Sequence, residues 1–172
     1  PLIWENDWPV SGDLFRNGVY EISSVRRGYA LELAVDFERQ QIARRGWRMD
    51  PDEPIVSYPN QTLADVVGKW PSGNVDARIG DWMNRPHQRW SITAVPEAGG
   101  YLGGQYYKIC IEGTDRTLTA VEGAEVKVAE TYTGAPEQLW RIEQLIDGSY
   151  RIMPKAVPGC DCQYVLTSVA DS

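Results

Sequence analysis

The chain has 172 residues and a formal net charge of −7, a length that suits one buried core and a charge that argues against a phosphate-tracking surface. No stretch approaches the roughly 20 apolar residues of a membrane helix, so nucleic-acid binding and membrane insertion are set aside. The first residues show no basic start followed by an apolar run and a small-residue cleavage site, and Cys110, Cys160 and Cys162 are too few for a disulfide scaffold, the last two being too close for an easy mutual bridge. The expected home is therefore cytoplasmic, with reduced thiols.

In chain order the first clear element is Tyr20-Glu21-Ile22, an aromatic-x-Ile phrase that recurs as Tyr107-Lys108-Ile109 and Tyr150-Arg151-Ile152. Each opens an alternation of apolar and polar residues that reads as a strand. A second strand follows each opener, centred on Leu31 in YALEL, Leu118 in RTLTAV and Leu166 in YVLTSV. After Tyr150 the spacing is five residues longer, the extra residues falling in the loop Pro158 to Cys162. Between Asp36 and Pro86 lies a stretch rich in Pro, Gly and charge, read as an insertion with a helical piece around Gln61 to Val67. Its tryptophans Trp47, Trp70 and Trp82 need either a partner surface or a place packed down on the main body.

A closing phrase then appears twice, as Gln88-Arg89-Trp90-Ser91-Ile92 and Gln138-Leu139-Trp140-Arg141-Ile142. Alternate residues of a strand face the same side, so the glutamine amide can bind nearby backbone while the indole fills the interior. Gly99-Gly100 and Gly103-Gly104 read as a flexible link between units, and Val126 with Val128 as one more strand. The last unit stops at Ser172 without a closing tryptophan. The N-terminal Glu5-Asn6-Asp7-Trp8-Pro9-Val10 can be laid on residues 137 to 142, with Asn in place of Gln, although Pro9 suits only an edge.

Catalytic signatures are missing. There is no C-x-x-C, H-E-x-x-H, G-x-S-x-G or phosphate-cradling loop, and His87, directly before a closing strand, reads as structural. The acidic trio Asp50, Asp52 and Glu53 could ligate calcium through oxygen, but Pro51 and Pro54 break the loop and a solvated loop is the reading adopted. No enzyme activity, metal or cofactor is expected.

The repeated Gln-x-Trp with the three openers resembles the ricin B-type β-trefoil lectins, over residues 18 to 35 and 87 to 172. The resemblance implies an all-β fold: one β-trefoil domain with threefold pseudosymmetry, whose first lobe spans about 16–98 with a long insertion at 36–86. Lobe two would span about 101–147 and lobe three about 148–172, completed by residues 1–15 or by a further C-terminal segment. It also implies a non-catalytic carbohydrate-binding protein of the fungal ricin B-like kind, serving defence or recognition, with glycans or glycoproteins as partners. Sites of this type use an Asp early in the lobe, a stacking aromatic and an Asn just ahead of Gln-x-Trp. Lobe two has Glu130 where the aromatic would fall and Thr133 where the Asn would fall, so a non-standard site built on Asp115 and Tyr132 is expected there, and Trp4 with Asn6 would serve lobe three. Two alternatives share the fold: a protease inhibitor acting through the long first-lobe loop, and a lectin-like companion subunit without sugar binding.

Overall fold

A computed structural model describes residues 15–25, 29–35, 62–101, 104–123, 125–161 and 163–167. The described residues form β1 (Gly18–Tyr20), β2 (Ala30–Leu33), β3 (Val75–Gly80), β4 (Trp90–Ala94), β5 (Gly100–Tyr101) and β6 (Gly104–Gln105) in the first half of the chain. Then come β7 (Tyr107–Ile111), β8 (Thr117–Val121), β9 (Glu125–Ala129), β10 (Trp140–Gln144) and β11 (Tyr150–Pro154), with one short helix, α1 (Leu63–Val67). The expected helix is thus present, and its start is set by a capping box in which Thr62 and Asp65 each accept the other's backbone N–H.

The fold is an all-β trefoil whose first two lobes repeat each other strand for strand. In lobe one β1 meets β4 with Tyr20 opposite Trp90, and in lobe two β7 meets β10 with Tyr107 opposite Trp140. The second and third strands form a hairpin in each lobe, β2 with β3 and β8 with β9, and β3 joins β9 through Val75 opposite Val128. Successive lobes are stitched in the same register, since Ile92 of β4 faces Ile109 of β7 and Ile142 of β10 faces Ile152 of β11.

The alternation read from the sequence explains what fills the interior. Trp90, Trp140, Ile109, Ile111, Leu33, Leu118 and Val128 are fully buried or nearly so, and each indole also finds a partner for its N–H: Trp90 Nε1 donates to the Leu31 carbonyl at 2.9 Å and Trp140 Nε1 to that of Leu118 at 3.0 Å. An indole can be buried this deeply because its single polar atom is satisfied.

Three sequence expectations need correction. Residues 75–80, assigned to the insertion, are the third strand of lobe one, whereas Trp70 is packed down into the main core, one of the two places expected for it, with the Arg116 guanidinium 5.6 Å from its ring. The run VDARIG is bounded by Pro, Gly and Asn, which made it look like loop, yet cross-strand pairing with β2 and β9 holds it as strand; residues 36–61, with Trp47 and the acidic trio, lie outside the described residues. The double glycine segment is a small hairpin, β5 with β6, and not a flexible link. Finally, Cys160 is disulfide-bonded while Cys110 is free, against the expectation of reduced thiols throughout.

Among the described residues of lobe three, Tyr150–Pro154 is the strand β11 and residues 163–167 are not in a strand. Its second segment is nevertheless docked as in lobe one: Leu166 N–H donates to the Ile152 carbonyl at 2.7 Å, as Leu31 N–H does to Ile22 at 2.7 Å.

Candidate functional site

The cross-strand register of β4 and β7 assembles a polar floor. Ser91 faces Cys110 and Thr93 faces Lys108, and because alternate residues share a face, these four side chains come up together on one side of the ladder. The turn after β7 adds Gly113, Thr114 and Asp115, and the whole encloses a cleft of about 500 Å³. The turn is held by Thr114, whose hydroxyl donates to the Ile111 carbonyl and accepts from Arg116 N–H. Gly113 sits at φ +77, and a Cβ there would lie 2.5 Å from a Leu63 methyl. Any larger residue would be strained at this φ, and the Leu63 side chain would have to move aside.

Tyr132 stands beside this cleft on the loop after β9. The Lys108 ammonium lies 4.8 Å from the centre of its ring, within cation–π range, so Lys108 links the Asp115 side of the cleft to the tyrosine. Burial, with the negative charge of Glu97 next in importance, pushes the Tyr132 hydroxyl above its ordinary value, which keeps it a neutral donor. Burial likewise raises the Cys110 thiol, against a hydrogen bond from Thr117 and the charge of Lys108. A thiol held protonated is a weak nucleophile.

The loop that carries Tyr132 is clamped by the glutamine of Gln-x-Trp. Gln138 Oε1 accepts Thr133 N–H at 2.8 Å and its Nε2 donates to the Thr131 carbonyl at 3.1 Å. Gln88 does the same in lobe one, accepting from Met83 N–H at 2.8 Å and donating to the Asp81 carbonyl at 2.6 Å. In both lobes the residue between these two anchor points is aromatic, Tyr132 in one and Trp82 in the other, and Trp82 is 39% exposed. Lobe one has no matching carboxylate, because the residue three before Leu31 is Gly28 where lobe two has Asp115 three before Leu118.

Of the four predicted ligand residues, Asp115 lines the cleft and Tyr132 stands beside it against Lys108, while Trp4 and Asn6 lie outside the described residues. Thr133 is spent on Gln138, its hydroxyl also reaching Oε1 at 3.2 Å, and Glu130 accepts Gly73 N–H at 3.1 Å. Sequence reasoning missed Lys108, Ser91 and Thr93, since nothing local marks them and only the register brings them together. It also missed the polar cluster behind Gln88. Glu32, fully buried, accepts Arg78 Nε at 2.6 Å and Gln88 Nε2 at 2.8 Å, with His87 Nε2 at 3.7 Å. Burial alone would raise this carboxyl, but the neighbouring His87 ring and the hydrogen bonds from Arg78 and Gln88 hold it down from an ordinary value near 4.5 to about 2. His87 is buried beside this carboxylate.

Residues 86–161 match the ricin-type β-trefoil lectin domain-like family. The chain resembles ricin B-type lectins over that stretch, which holds both Gln-x-Trp strands and all of the lobe-two cleft. No curated protein matches the sequence. Among solved structures it is similar to the crystal structure of a designed 3-fold symmetric protein, ThreeFoil, at 18% identity over 90% of this chain and 91% of that one, with a TM-score of 0.48.

Proposed function

We propose that this lectin-like trefoil binds carbohydrate, without catalysis, through the lobe-two cleft. The observation that carries the reading is the convergence of Asp115 and Lys108 on a floor of Ser91 and Thr93, with the Tyr132 ring against Lys108 at the side. A carboxylate and an ammonium select hydroxyls by accepting and donating hydrogen bonds, while a phenol ring offers an apolar surface to sugar C–H groups. No step in this recognition calls for a metal ion, and the family that matches residues 86–161 is generally non-catalytic. For the inhibitor alternative, β3 and Trp70 of the expected loop belong to the trefoil, and residues 36–61 lie outside the described residues.

The test is a glycan array probed with the labelled full-length chain, followed by titration of the best ligand against Asp115→Asn. Losing one charged hydrogen bond corresponds to about 1.5–3 kcal/mol, a roughly tenfold to hundredfold weaker Kd. Added chelator should leave the titration unchanged. A folded protein that gives a blank array, or a ligand whose affinity Asp115→Asn does not alter, would overturn the assignment.

A further inference from the structure

The lobe-two cleft leaves its polar side chains unspent. Around it the threonine hydroxyls are committed to the protein: those of Thr114, Thr117 and Thr119 donate to the carbonyls of Ile111, Ile109 and Thr117, and that of Thr133 reaches Gln138. Ser91, Thr93, Lys108 and Asp115 line the cleft itself, and among the described residues their side chains have no hydrogen bond or ion pair. One cleft thus presents a cation and an anion that do not neutralise each other, with two hydroxyls on its floor.

The two charges differ in how they are held. Asp115 is exposed on the turn after β7, where water screens a carboxylate and an ion pair gains little. Lys108 is half-buried within β7, its ammonium 4.8 Å from the centre of the Tyr132 ring. An ammonium already pinned on a ring and partly withdrawn from water loses less freedom on binding and gains more from an opposite charge. Of the two, Lys108 is therefore the better anchor for a charged ligand, and the ligand it fits is an anion.

The floor completes the fit. Thr93 is the cross-strand partner of Lys108, and side chains directly opposite on one face have Cβ atoms about 4.5–5.5 Å apart, so a carboxylate seated on the ammonium is within reach of the Thr93 hydroxyl as a second donor. Two residues along, Cys110 faces Ser91, and burial keeps that thiol protonated, so the sulfur adds no negative charge against the ligand. We infer that the cleft selects glycans that carry a carboxylate, the acid group paired by Lys108 and hydrogen-bonded by Thr93 while Asp115 accepts from ring hydroxyls. This rests on the carbohydrate reading of the same cleft and narrows it to sugar acids. The net charge of −7 disfavours acidic glycans on the surface at large, which confines them to the place where Lys108 stands. A cationic amino sugar would have only the exposed Asp115 as partner and would meet Lys108 as a like charge.

The test is an array that carries each uronic-acid and sialic-acid glycan beside its carboxyl-reduced alcohol, with neutral and amino sugars alongside, probed with the full-length chain. In the best matched pair the acid should bind about tenfold or more tighter than the alcohol, the difference that one charged hydrogen bond makes. Lys108→Gln, shown to be folded by its near-ultraviolet circular dichroism, should bring the ratio of the two affinities towards one, whereas Asp115→Asn should weaken both forms and leave the ratio in place. Equal binding of acid and alcohol in the wild type, a preference for amino sugars, or an acid preference that survives Lys108→Gln would each overturn the inference while leaving the carbohydrate reading standing. A blank array would overturn both.

Discussion

Lobes one and two clamp the same loop with the same glutamine, and differ in what stands behind it. In lobe two Gln138 Nε2 reaches the hydroxyl of Thr119 at 3.5 Å. Lobe one has Glu32 at that place, tied to Gln88, Arg78 and His87. A neutral hydroxyl needs little compensation, whereas a buried carboxylate must be fully satisfied or it is costly. One scaffold tolerates either solution, and at this position the charge dependence belongs to lobe one.

The largest expected effect falls on the part the two lobes share. Trp140→Ala should destabilise by about 3–5 kcal/mol as a large-to-small core change, and Trp90→Ala by a similar amount, read from denaturant midpoints at unchanged slope. A loss below about 1 kcal/mol in either would show that the lobes are not equivalent. Next comes Glu32→Ala, which removes the acceptor of Arg78 Nε and one of the two acceptors of the Gln88 amide and should cost about 3 kcal/mol. Because the folded carboxyl is held near 2 against an ordinary value near 4.5, its stabilisation is present above about pH 4.5 and lost as pH falls toward 2, roughly 3 kcal/mol in all. Stability measured from pH 6 to pH 2.5 should therefore drop less steeply in Glu32→Gln than in the wild type; parallel curves would remove the charge dependence assigned to lobe one.

A binding comparison sharpens the contrast further. Tyr132→Ala should weaken glycan affinity about fivefold to tenfold by removing an aromatic face worth about 1 kcal/mol, and Trp82→Ala in lobe one, which lacks the carboxylate, should leave it unchanged. Equal losses in both would place ligand in both lobes. The smallest effect is Thr119→Val, expected at or below about 1 kcal/mol because the hydrogen bond it removes is long and neutral; a loss as large as that of Glu32→Ala would erase the distinction between the lobes.

The sequence made the repeat legible because Gln-x-Trp, the tyrosine openers and Leu31 and Leu118 each combine a periodicity with a chemical role. A helical piece is expected around Gln61 to Val67, and α1 spans Leu63–Val67. It did not make β3 legible, since Asp76, Arg78 and Gly80 are poor strand formers whose state is decided by pairing with distant partners. Glu32 escaped for a related reason: alternation puts it on the face opposite Leu31 and Leu33, which reads as solvent, and only the tertiary approach of Gln88 and His87 covers it. At the site, Asp115 and Tyr132 could be named from their places in the lobe, but Lys108, Ser91 and Thr93 become a floor only through a register between strands of different lobes.

The two indole hydrogen bonds also bear on the order in which the chain folds. Trp90 reaches back 59 residues to Leu31, and Trp140 only 22 to Leu118. Closing the longer loop costs about 0.9 kcal/mol more in chain entropy, before any contact repays it. Lobe two is therefore expected to organise first and to serve as the surface on which β2 and β3 assemble, with substitutions at Leu118 or Val128 slowing refolding and substitutions at Leu31 mainly hastening unfolding.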